Sequence, residues 1–176
     1  MKKIRPNTKQ PQKAKMKDSR KIILYSIAGI ALLAIIVLMA IEGTAGRISV
    51  KNDSDIKLEY VKAYFVDSEG SVNEDIMLFE NLGKGDKSDL LLEKIDLAYH
   101  QANLEVRFKF EDYDEMFVDA GYFNEMFDGK IAISFDNTDD SKVLLKIKAS
   151  AGILPSPNII CDEEHIVNLE EEYVEE

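Results

Sequence analysis

The chain has 176 residues and a formal net charge of −11, from 33 acidic and 22 basic side chains. Its single cysteine, Cys161, excludes an internal disulfide, so the chain must fold through its apolar core. The charge is unevenly distributed: residues 1–21 carry nine basic side chains and one acid, which leaves 13 basic and 32 acidic residues for 22–176. The chain therefore divides into a basic beginning and an acidic remainder.

Residues 1–21 contain two prolines and almost no apolar side chain. Such a composition cannot bury enough surface to fold, so we expect a disordered tail. No aromatic residue is interleaved with the basic ones, so the tail gives no indication of nucleic-acid binding.

Residues 22–41 read IILYSIAGIALLAIIVLMAI and carry no charge. A helix of this length spans roughly 30 Å, which predicts a single transmembrane helix in contact with membrane lipid. Basic residues beside a span are retained in the cytoplasm, so the tail is expected inside and the rest of the chain outside the cell membrane. The alternative is a cleaved signal peptide, with small residues at Gly43, Thr44 and Ala45.

Residues 42–46 form a short linker, which reaches at most about 18 Å. The external domain is therefore expected to stay close to the membrane. No second apolar run of spanning length follows.

From residue 47 to 153, short segments alternate between apolar and polar residues, which is typical of half-buried strands. The clearest strand places Leu104, Val106, Phe108 and Phe110 on one face. About seven strands separated by turn signals predict an all-β domain, and this pattern resembles an immunoglobulin-like β-sandwich. The resemblance is architectural, because the Cys–Trp–Cys hallmark of antibody domains is absent.

Residues 88–102 fit either a helix with Ser88 as its N-cap or a pair of strands. We favour strands, because the neighbouring segments are strands. Residues 154–176 are expected to form an acidic C-terminal tail, in which Ile159, Ile160, Ile166, Val167 and Leu169 could add an edge strand.

The most distinctive stretch is 111–129, in which aromatic residues and methionines lie among acids between two strong strands. The i, i+4 spacing of Tyr113 with Phe117 and of Phe123 with Phe127 predicts two short helical turns that are broken at Gly121. We expect Phe117 and Phe127 to point inward and Tyr113 and Tyr122 outward. Aromatic and methionine side chains are enriched in interfaces, which makes this stretch a candidate partner-binding surface. The candidate residues are Tyr113, Met116, Tyr122 and Met126. The alternative is a crossover that buries its aromatic residues.

The chain shows no catalytic constellation and no zinc-ligand spacing, so neither an enzyme nor a cofactor is predicted. Asp136, Asp139 and Asp140 leave calcium binding open. Asn52-Asp53-Ser54 is a glycosylation sequon that also fits an Asx-type turn. The acids that follow Cys161 disfavour a covalent dimer.

These patterns predict a non-catalytic interaction module, or an accessory subunit of a cell-envelope complex, that is anchored by one membrane span and binds another envelope protein. An extracytoplasmic binder of a divalent cation or a carbohydrate is the first alternative. A secreted binding domain, released by cleavage of a signal peptide, is the second.

Overall fold

The structure, a computed structural model, describes residues 15–42, 46–72, 76–138, 142–152 and 155–170. The chain forms two compact units, Met1–Gly43 and Thr44–Glu176. Each unit is described by itself below. The predicted linker falls largely on residues 43–45, which lie outside the described residues.

The first unit contains one helix, α1, at Lys15–Glu42. It includes all of residues 22–41 and begins earlier than predicted, so residues 15–21, expected to be disordered, are helical. Lysine, methionine and arginine favour helices, which explains the earlier start. Residues 1–14 lie outside the described part of the chain. None of the described residues form a helix with the length and apolar character that a bilayer span requires.

The second unit is all-β, as predicted. Its strands, within the described residues, are β1 (Arg47–Asp53), β2 (Leu58–Asp67), β3 (Gly70–Ser71), β4 (Met77–Leu82), β5 (Lys87–Leu91), β6 (Ile95–Asp96), β7 (Ala102–Phe110), β8 (Glu115–Phe123), β9 (Met126–Phe127), β10 (Lys130–Asn137), β11 (Lys142–Ser150), β12 (Ile159–Ile160) and β13 (Asp162–Asn168).

The strands form two main sheets and one small ribbon. Sheet 1 has the order β13-β11-β10-β1-β5, in which β1 runs parallel to β10 and the other neighbours are antiparallel. Sheet 2 has the order β12-β8-β7-β2-β3, with β4 also paired to β2. Strands β6 and β9 form the ribbon. The parallel β1–β10 pair is a feature that the strand pattern alone did not indicate.

The two sheets share one apolar core, to which alternate residues of the longer strands other than β5 contribute. Phe108 and Phe110 of sheet 2 meet Phe135 of sheet 1, with ring centroids 5.1 and 5.6 Å apart. Near the other end of the strands, Phe65, Phe123 and Phe127 form a second aromatic group, with centroids 5.0 to 6.0 Å apart. Such edge-to-face pairs add stability beyond the buried area.

The strand interpretation of residues 88–102 is confirmed by β5 and β6, which are followed by a turn at 98–100. The predicted C-terminal edge strand is also present, because β13 pairs with β11 at the edge of sheet 1. The acidic segment therefore belongs to the folded unit through residue 170, and residues 171–176 lie outside the described part.

The predicted helical turns in residues 111–129 are wrong. This stretch instead contains a short turn at 111–114, strand β8 and strand β9. β8 pairs antiparallel with β7, and the register shifts where Gly121 adopts a φ of 73°. A glycine in this conformation is typical of a β-bulge, which breaks the apolar alternation and so hides the strand in the sequence.

Candidate interaction surface

The outer face of sheet 2 brings nine aromatic and charged side chains together. On β2, β7 and β8 the buried residues alternate with half-buried or exposed ones, so one set of side chains points away from the core. We call this set the Arg107 face. Its members are Tyr60, Lys62, Tyr64, Glu105, Arg107, Lys109, Glu115, Phe117 and Asp119.

Arg107 lies at the centre of this face, opposite Lys62 of β2 and Phe117 of β8. Its Nε donates to Glu105 Oε1 at 2.5 Å and to Tyr64 Oη at 2.9 Å, and its Nη1 donates to Glu115 Oε1 at 3.1 Å. These partners raise the pKa of Arg107, foremost through Glu105. The guanidinium therefore stays charged and is held in one orientation.

The face also contains two cation–aromatic contacts. The Arg107 Cζ lies 4.9 Å from the ring centroid of Phe117, and the Lys62 Nζ lies 4.4 Å from that of Tyr60. Contacts of this kind contribute about 0.5–1 kcal/mol at exposed sites. They explain why Phe117 is ordered on the outside, although its side chain is 45% exposed.

Two phenols are fixed by carboxylates. Tyr60 donates to Glu115 Oε2, and Tyr64 donates to Glu105 Oε1. The hydrogen bond to Glu115, together with partial burial, raises the pKa of Tyr60 to about 12. The same bond lowers the pKa of Glu115, with Arg107 and Lys62 acting in the same direction. Both groups therefore keep their pairing over a wide pH range.

Asp119 is the exception on the Arg107 face, because none of the described residues forms a hydrogen bond or an ion pair with its side chain. It lies directly opposite Glu105 in the β7–β8 register, and like charges in that position repel. Partial burial and then the negative charge of Glu105 raise the pKa of Asp119. A cationic group brought to this part of the face would relieve the repulsion.

The four residues predicted as partner-binding do not converge on one surface. Met116 is buried in the core, so it is out of a partner's reach. Tyr113 is half-buried in the turn at 111–114, whereas Tyr122 lies at the other end of β8, opposite Ile160. Met126 is exposed in β9. The strand geometry is the reason: successive side chains alternate between faces and spread along the strand, instead of gathering on one helical stripe.

The inward and outward assignments are right in part. Phe127 is fully buried, as predicted, whereas Phe117 is exposed and Tyr113 and Tyr122 are half-buried. The sequence reasoning missed Tyr60, Tyr64 and Arg107. The sequence feature that could have identified them is the alternation of β2 and β7, in which the positions between the apolar residues include two tyrosines and an arginine.

The other candidate sites have structural partners. Asp136 pairs with Lys146 at 2.9 Å, and Asp139 and Asp140 lie outside the described residues. Over the described ranges, no group of three or more His, Cys, Asp or Glu side chains could hold a metal ion. Burial raises the pKa of the Cys161 thiol to about 12, which keeps it protonated and unreactive.

Asn52 of the sequon is fully buried and serves as a structural link. Its Nδ2 donates to the carbonyl oxygens of Ile56 and Leu82, both at 2.9 Å. Its Oδ1 accepts from the backbone N–H of Ser54 at 3.0 Å, which closes an Asx-type turn. Both amide hydrogens are engaged, so the folded protein offers no nitrogen for a glycan.

Comparison with known proteins adds no relative: no family model, curated protein or solved structure matches this chain. The functional argument therefore starts from the Arg107 face and from the charge pattern of the sequence.

Proposed function

We propose that this protein is a non-catalytic interaction module, anchored in the cell membrane by one span, that binds another protein of the cell envelope through the Arg107 face. The observation that carries the proposal is the ordered combination of Arg107, Tyr60, Tyr64 and Phe117 on one outer sheet face. Tyrosine and arginine are the residues most enriched among those that dominate binding energy.

The geometry favours binding because these side chains are already held in place. Arg107 is fixed by Glu105, Tyr64 and Glu115, so binding a partner costs little additional side-chain entropy. Asp119 supplies a preference for a cation on the partner. A protein with an aromatic or aliphatic anchor beside a lysine or arginine would complement both features.

The membrane anchor is supported by the sequence. Residues 22–41 carry no charge, and apolar side chains are exposed around the helix, including Ile23, Leu24, Ile30, Leu33 and Ile36. A helix that is apolar all round needs a nonaqueous environment. The basic residues 1–21 support a cytoplasmic N-terminus and an extracytoplasmic second unit.

A protease test on intact spheroplasts addresses the topology. We expect the protease to remove the second unit and to spare residues 1–21. Protection of the second unit until the cells are lysed would reverse the proposed orientation. Recovery of a soluble form that begins after residue 45 would instead support the cleaved signal peptide.

The immunoglobulin-like topology stays a proposal. It is supported by two packed sheets with a shared apolar core, an architecture that many cell-surface domains use for binding. The parallel pairing of β1 with β10 is the feature that any such assignment must include.

Site-specific photo-crosslinking in cells tests the binding surface. A photoreactive phenylalanine analogue is placed at position 117 and, as a matched control, at position 166, because Ile166 is an exposed apolar residue of sheet 1. We expect one discrete crosslinked protein from position 117 and none from position 166. The same pattern from both positions, or no product from position 117, would overturn the proposal.

The alternative of a carbohydrate ligand is favoured by the exposed ring of Phe117 beside the carboxylate of Glu115. An apolar sugar face stacking on that ring would raise the melting temperature of the wild-type protein. The rise should disappear in Phe117→Ala. A glycan-dependent shift of this kind without a crosslinked protein would favour the carbohydrate over the protein partner.

A further inference from the structure

One end of the sandwich brings several exposed large apolar side chains together. We call it the proximal end and define it as the end where β1 begins, with Arg47 opposite both Leu91 and Lys130. Four exposed side chains lie there: Leu91, Tyr99, Met126 and Ile160. Tyr99 is 95% exposed and Leu91 is 71% exposed.

The strand registers place these four side chains at the same end. Leu91 is the last residue of β5 and pairs with the first residue of β1. Met126 lies in the β6–β9 ribbon. In the sequence, β6 follows the end of β5 and β9 precedes the start of β10, so the ribbon lies at the proximal end. Ile160 precedes Cys161, whose carbonyl oxygen accepts from the Ala149 N–H at 2.8 Å near the proximal end of β11.

Tyr99 belongs to this end because its turn is tied to the neighbouring strand. The turn at 98–100 precedes β7, and the His100 Nδ1 lies 2.7 Å from Asp67 Oδ2 at the end of β2. Tyr99 itself has a φ of 72°, so the turn presents the ring outward from a strained backbone. A large aromatic ring in that position gains nothing from the core of its own domain.

The opposite, or distal, end has a different surface. Its turns at 54–57, 83–86 and 111–114 expose no large apolar side chain. They carry Asp55, Lys84, Asp86, Glu111, Asp112 and Asp114. Among the described residues, the exposed large apolar side chains therefore lie at the proximal end or on the sheets, and not in these distal turns.

The proximal end is also where the chain enters the second unit. Gly46 is buried, its carbonyl oxygen accepts from the Leu92 N–H at 2.9 Å, and the next residue donates to Gly129 O at 3.0 Å. The described part of the second unit thus begins at Gly46, which these bonds hold in place. Only residues 43–45 separate it from Glu42, and whatever their conformation, that length of chain reaches at most about 14 Å.

We propose that the proximal end docks on the lipid surface of the membrane, with Tyr99, Leu91, Met126 and Ile160 entering the interfacial region. The short connection identifies the membrane as the surface that this end contacts, because a bilayer that holds residues 22–41 must come within reach of Gly46. Tyrosine suits this position because its ring is apolar and its hydroxyl is polar. The inference rests on the proposed membrane anchor.

The charges of the proximal end define the lipid class. Glu93, Asp96 and Asp128 are exposed there beside Arg47, Lys94 and Lys130, so these charges balance. A surface without a basic excess does not attract anionic headgroups, so the preferred surface is zwitterionic. Contact is then made by the apolar side chains and not by a basic patch, unlike electrostatic membrane binding.

Lipid-quenching of a site-specific fluorophore tests this inference in the full chain. The protein is reconstituted into phosphatidylcholine vesicles that contain a headgroup spin-labelled lipid. An environment-sensitive label is attached at Tyr99→Cys, at Lys84→Cys on the distal end, and at Ala34→Cys within α1. The native Cys161 is buried and stays unlabelled in the folded protein. We expect several-fold stronger quenching at position 99 than at position 84.

The three positions separate the two proposals. An unquenched label at position 99 together with a lipid-exposed label at position 34 overturns the docking inference and leaves the anchor intact. A water-exposed label at position 34 overturns the anchor; quenching at position 99 would then show lipid contact without a span. As a second check, Leu91→Ser with Ile160→Ser should weaken quenching at position 99, and unchanged quenching would contradict the role of the apolar side chains.

Discussion

The two ends of the sandwich enclose similar cores but stabilise them in different ways. Each end has a phenylalanine group: Phe108, Phe110 and Phe135 at the distal end, and Phe65, Phe123 and Phe127 at the proximal end. At the distal end, the chain is held together by the buried hydrogen bonds of Asn52 and Ser54. The proximal end closes by close backbone approach.

The glycines show this difference directly. A Cβ on Gly46 would lie 2.6 Å from Asp128 O, and a Cβ on Gly121 would lie 2.6 Å from the Cβ of Cys161. At the distal end, a Cβ on Gly85 would meet nothing within 4 Å. The proximal end is therefore closed by tight packing around glycines, whereas the distal end depends on the buried hydrogen bonds of Asn52 and Ser54.

The largest expected effect is at the distal end. Asn52→Asp removes both donors from the carbonyl oxygens of Ile56 and Leu82 and places a charge in the core. We expect the free energy of unfolding to fall by about 4 kcal/mol or more. Asn158→Asp, at an exposed asparagine, is the control and should stay within about 1 kcal/mol. Chemical denaturation of the full chain in mild detergent measures both; equal losses would contradict the role of Asn52.

A glycine pair measures the packing at the proximal end. Gly121 and Gly85 have φ values of 73° and 82°, so alanine at either position should cost about 1 kcal/mol for backbone strain. Gly121→Ala also meets Cys161 and Phe123, and we expect a total loss of about 2–4 kcal/mol. If the two variants lose the same stability, the close approach at Gly121 contributes nothing.

Titration of Tyr60 tests whether its hydrogen bond to Glu115 orders the outer face of sheet 2. Its pKa of about 12 is raised, so the stability that it contributes is complete below its ordinary value near 10 and is lost as the pH rises toward 12. Glu115→Gln should move the pKa of Tyr60 toward 10. Glu80→Gln is the control, because Glu80 is the β4 neighbour of Tyr60 in the register.

Carbon NMR of labelled tyrosine measures this pKa, with Tyr60→Phe to assign the resonance. An unchanged Tyr60 pKa in Glu115→Gln would show that the phenol–carboxylate bond does not control the titration. If Glu80→Gln shifts the pKa of Tyr60 by the same amount, the raised pKa comes from the general negative charge around Tyr60 and not from the bond to Glu115.

The smallest expected effect is at the proximal surface. Leu91 is exposed and its neighbour Leu92 is buried, which makes them a matched pair. Leu91→Ala should change the free energy of unfolding by about 0.5 kcal/mol or less, whereas Leu92→Ala should cost about 2–5 kcal/mol. A large loss for Leu91→Ala would mean that its side chain supports the fold, and its availability for lipid would be doubtful.

The regular strands were predictable because their pattern is local. In β7, Leu104, Val106 and Phe108 alternate with polar residues, and all three are buried as expected. In β8 the same logic failed, because the bulge at Gly121 shifts the alternation and Phe117 points outward onto Arg107. A spacing of four between aromatic residues then looks helical, although Phe117 and Phe123 lie in β8, Tyr113 in the turn before it and Phe127 in β9.

The candidate site was only partly predictable, because it depends on which strands are neighbours. Tyr60, Arg107 and Phe117 lie on three strands, and no local pattern specifies that β2, β7 and β8 adjoin. The stretch 111–129 was correctly singled out as unusual, but its contribution to the Arg107 face is Glu115, Phe117 and Asp119. Met116 and Met126 were predicted to bind a partner because methionine is enriched in interfaces. Met116 is buried in the core, so it cannot contact a partner.

The position of β1 has a mechanical consequence. β1 is the first strand of the second unit and lies between β10 and β5 in the middle of sheet 1. A force that separates the proximal and distal ends along this strand would act across its hydrogen bonds to both neighbours at the same time, since those bonds lie across the strand. Such shear loading resists rupture better than peeling an edge strand bond by bond, so we expect β1 to resist tension applied through Gly46 better than an edge strand would.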